Sequence, residues 1–117
     1  MNRRPALTCA ILLTFVGTFA PGIALAEDPE KVAQGEKLYA SEKCSKCHSI
    51  AGKGAKKGPL DGVGSKLSEE EIREWLVDPN TVAKRTKETR KPPMKPSKLP
   101  KEDIEALVAY MQSLKKD

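Results

Sequence analysis

Residues 44–48 read Cys-Ser-Lys-Cys-His: two thiols separated by two residues, with an imidazole directly behind the second. Four chemistries begin with such a pattern: a disulfide, a structural zinc site, a thioredoxin-like dithiol and a covalently attached haem. A disulfide between Cys44 and Cys47 would close a very small loop, stabilise little and leave His48 without a role. A thioredoxin-like pair expects a strand before it within a βαβ unit, whereas the residues ahead of Cys44 read as a helix. Zinc requires four ligands, and the motif offers three. His48 is the single histidine, and the third cysteine, Cys9, lies in a segment expected to be removed, so only a carboxylate could complete that set. Haem attachment uses every residue of the motif. The two thiols add across the vinyl groups, and the adjacent imidazole coordinates the iron from one face.

The start of the chain indicates the compartment. Arg3 and Arg4 give a positive beginning, an uncharged apolar run follows to Ala20, and Pro21-Gly22 breaks it before Ala24-Leu25-Ala26. This is the three-part build of a secretory signal peptide, with cleavage expected after Ala26. The apolar run is shorter than the roughly 20 residues that cross a bilayer, so no stable membrane insertion is expected once the signal is gone. The mature chain, Glu27 to Asp117, has 91 residues, enough for one domain. Loss of Arg3 and Arg4 leaves 19 basic residues against 16 acidic ones, a net charge of +3. Acids dilute the basic residues along the chain, which argues against a dedicated nucleic-acid binder. A domain of this size buries only about 60–65% of its unfolded surface and gains from a staple. After the signal, Trp75, Tyr39 and Tyr110 are the only aromatic residues, so another group is expected to fill the core.

Three helical stretches are expected. The first runs from about Pro29 to Glu42, with Asp28 as cap and Pro29 at the first helical position; Val32, Leu38 and Tyr39 share a side. The second opens with Ser68 and Glu71 in capping-box spacing, carries Ile72, Trp75 and Leu76, and ends where Pro79 disfavours helix at Asp78. The third begins near Pro100 and places Ile104, Leu107, Val108, Met111 and Leu114 on one face, with acids at its start and lysines at its end. The glycine-rich segment after the motif and the proline-rich segment around Met94 show no alternating strand pattern. The expected class is all-α, with long loops wrapped around one covalent haem.

On these residues the chain resembles a class I cytochrome c, specifically a small bacterial single-haem c-type cytochrome. The resemblance covers residues 29–115. It is carried by the Cys-Ser-Lys-Cys-His motif after an N-terminal helix, the Gly58-Pro59-Leu60-Asp61-Gly62-Val63-Gly64 stretch, a late methionine and a C-terminal helix. It implies that Gly35 and Tyr39 of the first helix pack against Leu107 and Tyr110 of the last. A mid-helix glycine costs about 1 kcal/mol relative to alanine, and a close helix crossing is a physical reason to keep it. Pro59 matches the proline whose carbonyl accepts a hydrogen bond from the proximal imidazole in that family. Trp75 is carried over as a propionate contact.

A methionine thioether is the usual second axial ligand and favours ferrous iron. Met1 leaves with the signal, Met111 falls on the apolar stripe of the last helix, and Met94 sits in a proline-stiffened loop with no apolar neighbours. Met94 is therefore expected opposite His48, with Lys95 and Lys98 as nearby alternative donors. The resemblance further implies haem c, a periplasmic monomer and transient redox protein partners. Lys43, Lys46, Lys53, Lys56, Lys57, Lys91, Lys95 and Lys98 could make a basic rim that steers acidic partners. The expected function is that of an electron carrier and not an enzyme. The rival is a haem sensor or peroxidase-like protein with a labile distal ligand.

Overall fold

A computed structural model describes residues 27–116. The expected signal peptide, its cleavage after Ala26 and Cys9 lie outside the described residues. Helix α1 spans Pro29–Ser41, and the Asp28 side chain accepts a hydrogen bond from the Glu30 amide at 2.9 Å, which satisfies one of the free N–H groups of the first turn. Helix α5 spans Lys101–Ser113 after Pro100. Of the apolar residues expected on one face, Ile104, Leu107, Val108 and Met111 are buried, and so are Ala106, Ala109 and Gln112. A helix covered on so much of its circumference is a central element, and α1, α3 and α2 all pack on it.

The α1–α5 crossing is close because Gly35 has no side chain. A Cβ there would collide with the Ala106 carbonyl oxygen and come within 2.6 Å of the Tyr110 Cβ. The neighbour of Gly35 is thus Ala106, one residue before the expected Leu107. Beside this contact the rings of Tyr39 and Tyr110 meet edge to face, with centroids 5.9 Å apart and planes at 65°, an arrangement that aligns positive ring edge with negative ring face. The tyrosine pairing agrees with the sequence reading.

The second expected stretch is resolved into two helices. Helix α3, Glu69–Val77, starts with a complete capping box: the Glu71 amide donates to Ser68 Oγ at 3.2 Å and the Ser68 amide to the Glu71 carboxylate at 2.8 Å. It stops before Pro79 as expected, but a further helix α4, Pro79–Thr86, begins at once. Asp78 ends α3 with its amide on the Glu74 carbonyl and starts α4 by accepting from the Thr81 amide at 3.2 Å. The proline that terminates one helix is well placed as the first residue of the next. Only Pro79 and Val82 of α4 are buried, so the helix lacked the apolar stripe that reveals α3 and α5. A one-turn helix α2, Val63–Lys66, was likewise not expected. Its Gly64 lies against the C-terminal end of α5, where a Cβ would come within 2.8 Å of the Met111 carbonyl.

The fold remains all-α, with one two-residue hairpin. Strands β1, Ser49–Ile50, and β2, Lys53–Gly54, are joined through Ala51 and Gly52, both at positive φ. Such a turn matches the twist of the flanking strands, and the ladder is too short to show alternation. Ile72, Ile104, Val108 and Met111 form the buried cluster. No helix among the described residues is long and apolar enough to cross a membrane.

Candidate functional site

The motif follows α1 immediately. Lys43 takes a left-handed conformation, φ 58°, that turns the chain out of the helix into a short 3-10 turn, Cys44–Lys46. The amides of Cys47 and His48 both donate to the Cys44 carbonyl, at 3.1 and 2.9 Å. The turn holds the two thiols and the imidazole directly beyond the C-terminal end of α1. Cys44 is half-buried and Cys47 exposed, and both are free thiols. Burial, followed by the charge of Glu42, pushes the Cys44 thiol above its ordinary range. A reactive thiolate requires the opposite shift, and the helix before the motif is not the strand that a thioredoxin-like pair requires. Among the described residues no three His, Cys, Asp or Glu side chains converge as a metal site requires. The thiols and the imidazole therefore do not surround a common point, and the zinc alternative loses its geometry.

His48 is half-buried and held by its backbone and its ring. Its Nδ1–H donates to the Gly58 carbonyl at 3.1 Å. The resemblance had placed this acceptor at Pro59, and the structure moves it back one residue. The cause is a short parallel bridge next to the motif: the Ser49 amide donates to the Gly58 carbonyl at 3.0 Å, and the Leu60 amide to the Ser49 carbonyl at 2.8 Å. That register fixes the Gly58 oxygen beside the imidazole and leaves exposed Pro59 between the two bonds. Gly58 also owes its identity to this approach, since a Cβ would come within 3.0 Å of Nδ1 and closer still to the Cys47 carbonyl. The sequence reading missed Gly58, although a glycine directly before the carried-over proline was a signal that the chain passes something closely.

Because Nδ1 carries the proton, Nε2 presents its lone pair, the state an iron ligand needs. Burial is the main cause that lowers the His48 pKa below the ordinary imidazole range; the Gly58 carbonyl works against it, and the Arg90 charge works with it. The imidazole is thus kept neutral and available. The His48 carbonyl accepts from the Ala55 amide at 3.1 Å and from the Tyr39 hydroxyl at 3.3 Å. The second of these contacts gives Tyr39 a polar role that apolar periodicity could not reveal.

Met94 and Trp75 come from other elements. Trp75 lies on α3 and is half-buried; Ile72 belongs to the core cluster and Leu76 packs against it, but Trp75 does not. Met94 is half-buried in the irregular segment before α5 and is also outside the core cluster, in contrast to Met111, which is 7% exposed within it. The segment is tied to α3 by the Ser97 amide, which donates to the Leu76 carbonyl at 2.7 Å. Ile50, Leu60, Leu67, Leu76 and Leu99 flank the core and each retains exposed surface. An apolar macrocycle fits this incomplete cover, since it would remove that surface from water. The donor set fits as well: two unpaired thiols, and one imidazole with a single free nitrogen.

The comparisons identify the family. The family model described as Cytochrome c matches residues 32–115. The chain is also 30% identical over 91 residues to cytochrome c oxidase subunit 2 of Alkalihalophilus pseudofirmus, a match covering 70% of this chain and 25% of that protein. The chain thus spans about a quarter of that relative's length. No solved structure matches it. A helix-borne Cys44-Ser45-Lys46-Cys47-His48 turn in a family match over most of the described residues leads to one conclusion: the chain belongs to the cytochrome c family, carries covalently bound haem c and serves haem-based electron transfer.

Proposed function

We propose that this protein is a periplasmic one-electron carrier, with the haem iron held by His48 on one face and Met94 on the other. The observation that carries this reading is the bond from His48 Nδ1–H to the Gly58 carbonyl, which fixes the tautomer and leaves Nε2 as the coordinating atom. Bound haem would supply a redox centre that changes charge with little change in geometry when both axial positions are filled. Cys44 and Cys47 would hold the group covalently, and the half-buried leucines that flank the core would shield it from water. Met94 is supported by its half-buried place outside the core and by the preference of iron in this family for a thioether partner.

The eight lysines named above are all exposed. Their positions on the motif, the glycine-rich loop and the Met94 segment support brief docking with acidic redox proteins, by a monomer whose contacts are small enough to release quickly. The likeness to a cytochrome c oxidase subunit supports an oxidase as one class of acceptor. Export rests on the Arg3–Ala26 pattern. Absorbance spectra test the reading. A low-spin ferric form, and a ferrous form that does not bind carbon monoxide, are expected of the carrier. A high-spin form that binds carbon monoxide at once would favour the sensor or peroxidase-like alternative.

A further inference from the structure

The hydrogen bonds around His48 form a closed relay. The Tyr39 hydroxyl donates to the His48 carbonyl at 3.3 Å. That carbonyl belongs to the peptide whose N–H, on Ser49, donates to the Gly58 carbonyl at 3.0 Å. The Gly58 oxygen also receives the His48 Nδ1–H, at 3.1 Å. One oxygen therefore serves two donors, and the strength of each limits the other. Gly58, which carries the shared oxygen, and Ser49 are both buried, so no solvent competes strongly there.

We propose that Tyr39 is a positioning residue for the iron ligand, whose hydroxyl adjusts how strongly the Gly58 carbonyl accepts the His48 ring proton. The proposal rests on the reading of His48 as an iron ligand. Hydrogen bonds in a chain polarise one another. Donation by Tyr39 draws electron density toward the His48 carbonyl oxygen and makes the Ser49 N–H a stronger donor. The Gly58 oxygen, more engaged by Ser49, then accepts less from Nδ1–H. The imidazole acquires less anionic character and donates less to the iron, which favours the ferrous state. The positive end of the hydroxyl dipole, aimed at the His48 carbonyl, acts in the same direction. Burial raises the Tyr39 pKa above the ordinary phenol value, so the donor stays protonated at neutral pH. Tyr110, its edge-to-face partner, takes no part in the relay and provides the control.

The test is made on the haem-loaded protein. Tyr39→Phe removes one oxygen and keeps the ring. It is expected to shift the reduction equilibrium about threefold toward the ferric state, about 28 mV at ~59 mV per tenfold for one electron. The Ser49 amide proton should move upfield in the NMR spectrum of the ferrous form, as its bond weakens. Tyr110→Phe should change neither value. Since the chain has two tyrosines, the Tyr110→Phe variant grown with 3-fluorotyrosine carries the label at Tyr39 alone. Its more acidic hydroxyl should shift the potential the opposite way, which keeps the idea testable if Tyr39→Phe folds poorly. Equal potentials for Tyr39→Phe, Tyr110→Phe and the parent, in a protein whose spectrum shows a bound His48, would overturn the proposal alone. A parent spectrum without histidine ligation would instead overturn the functional reading beneath it.

Discussion

Gly35 of α1 lies against the backbone of Ala106 in α5, with no room between them for a methyl group. Gly35→Ala should gain about 1 kcal/mol in helix propensity. It must also force apart two helices at a point where the obstacle is a carbonyl oxygen and not a flexible side chain. Overpacking of this kind costs about 1–3 kcal/mol and at times more, so a net loss is expected. In a domain of this size each kcal/mol lowers the Tm by about 4–8 °C. Thermal unfolding measures it, and a variant at least as stable as the parent would contradict the close crossing.

Gly58→Ala acts on the ligand. The added Cβ would press on the Cys47 carbonyl and on His48 Nδ1, and the ring must move off the Gly58 oxygen. An imidazole that loses the acceptor of its Nδ1–H donates less to the iron, so the reduction potential should rise by tens of millivolts, on the scale of ~59 mV per tenfold. This direction is opposite to that expected for Tyr39→Phe. Potentiometry on both variants checks the pair of signs.

Met94 and Met111 separate by different observables. Met94→Ala should leave haem attachment to Cys44 and Cys47 intact, allow carbon monoxide to bind the ferrous form, and lower the potential by roughly 100 mV, about fiftyfold at ~59 mV per tenfold. Met111 belongs to the buried cluster, so Met111→Ala should cost about 2–5 kcal/mol of stability with an unchanged spectrum. A spin-state change in Met111→Ala alone would reverse the ligand assignment.

Acid should loosen the α3–α5 contact. Arg73 Nε and Nη2 donate to the two carboxylate oxygens of Glu105 at 2.7 and 2.8 Å, and this pairing holds the Glu105 carboxyl below its ordinary range. Between that lowered pKa and the unfolded value of about 4.3, the unfolded chain binds more protons, so stability falls as the pH falls. The contribution is fully present above the unfolded value and is lost as the pH drops through the folded one. Arg73→Gln should therefore cost up to about 1 kcal/mol at pH 7 and progressively less as the pH falls below about 4.3, measured by urea unfolding. A difference that stays constant across that range would mean that the Arg73 stem contributes by packing and not by charge.

The readable parts of the sequence were those with local chemical signatures. Asp28 and Ser68 announced their helices because a cap side chain acts within three residues. Ile104, Val108 and Met111 announced α5 because their burial has a helical period. Helix α4 escaped notice because it buries only Pro79 and Val82, and its start depends on the same Asp78 that ends α3. The acceptor for His48 was placed one residue too late because the Ser49–Gly58 register, set by a two-residue ladder, leaves no trace in hydropathy. The Tyr39 bond to the His48 carbonyl was invisible for a related reason: it joins a side-chain hydroxyl to a backbone carbonyl nine residues away across the turn.

The contact between α1 and α5 also has a consequence in time. Synthesis proceeds from the N-terminus, so the thiols at 44 and 47 are made well before α5, which begins at Lys101. The central helix that carries most of the buried hydrophobic residues is the last to appear, and α1 has nothing of comparable size to dock on until then. A lone helix of 13 residues is marginal in water. The nascent turn therefore hangs on an undocked α1 for the interval in which some 50 residues are added, and α5 fixes α1 in place only afterwards. Whatever joins the haem to Cys44 and Cys47 meets a pliable target during that interval and one held at the end of a docked helix later.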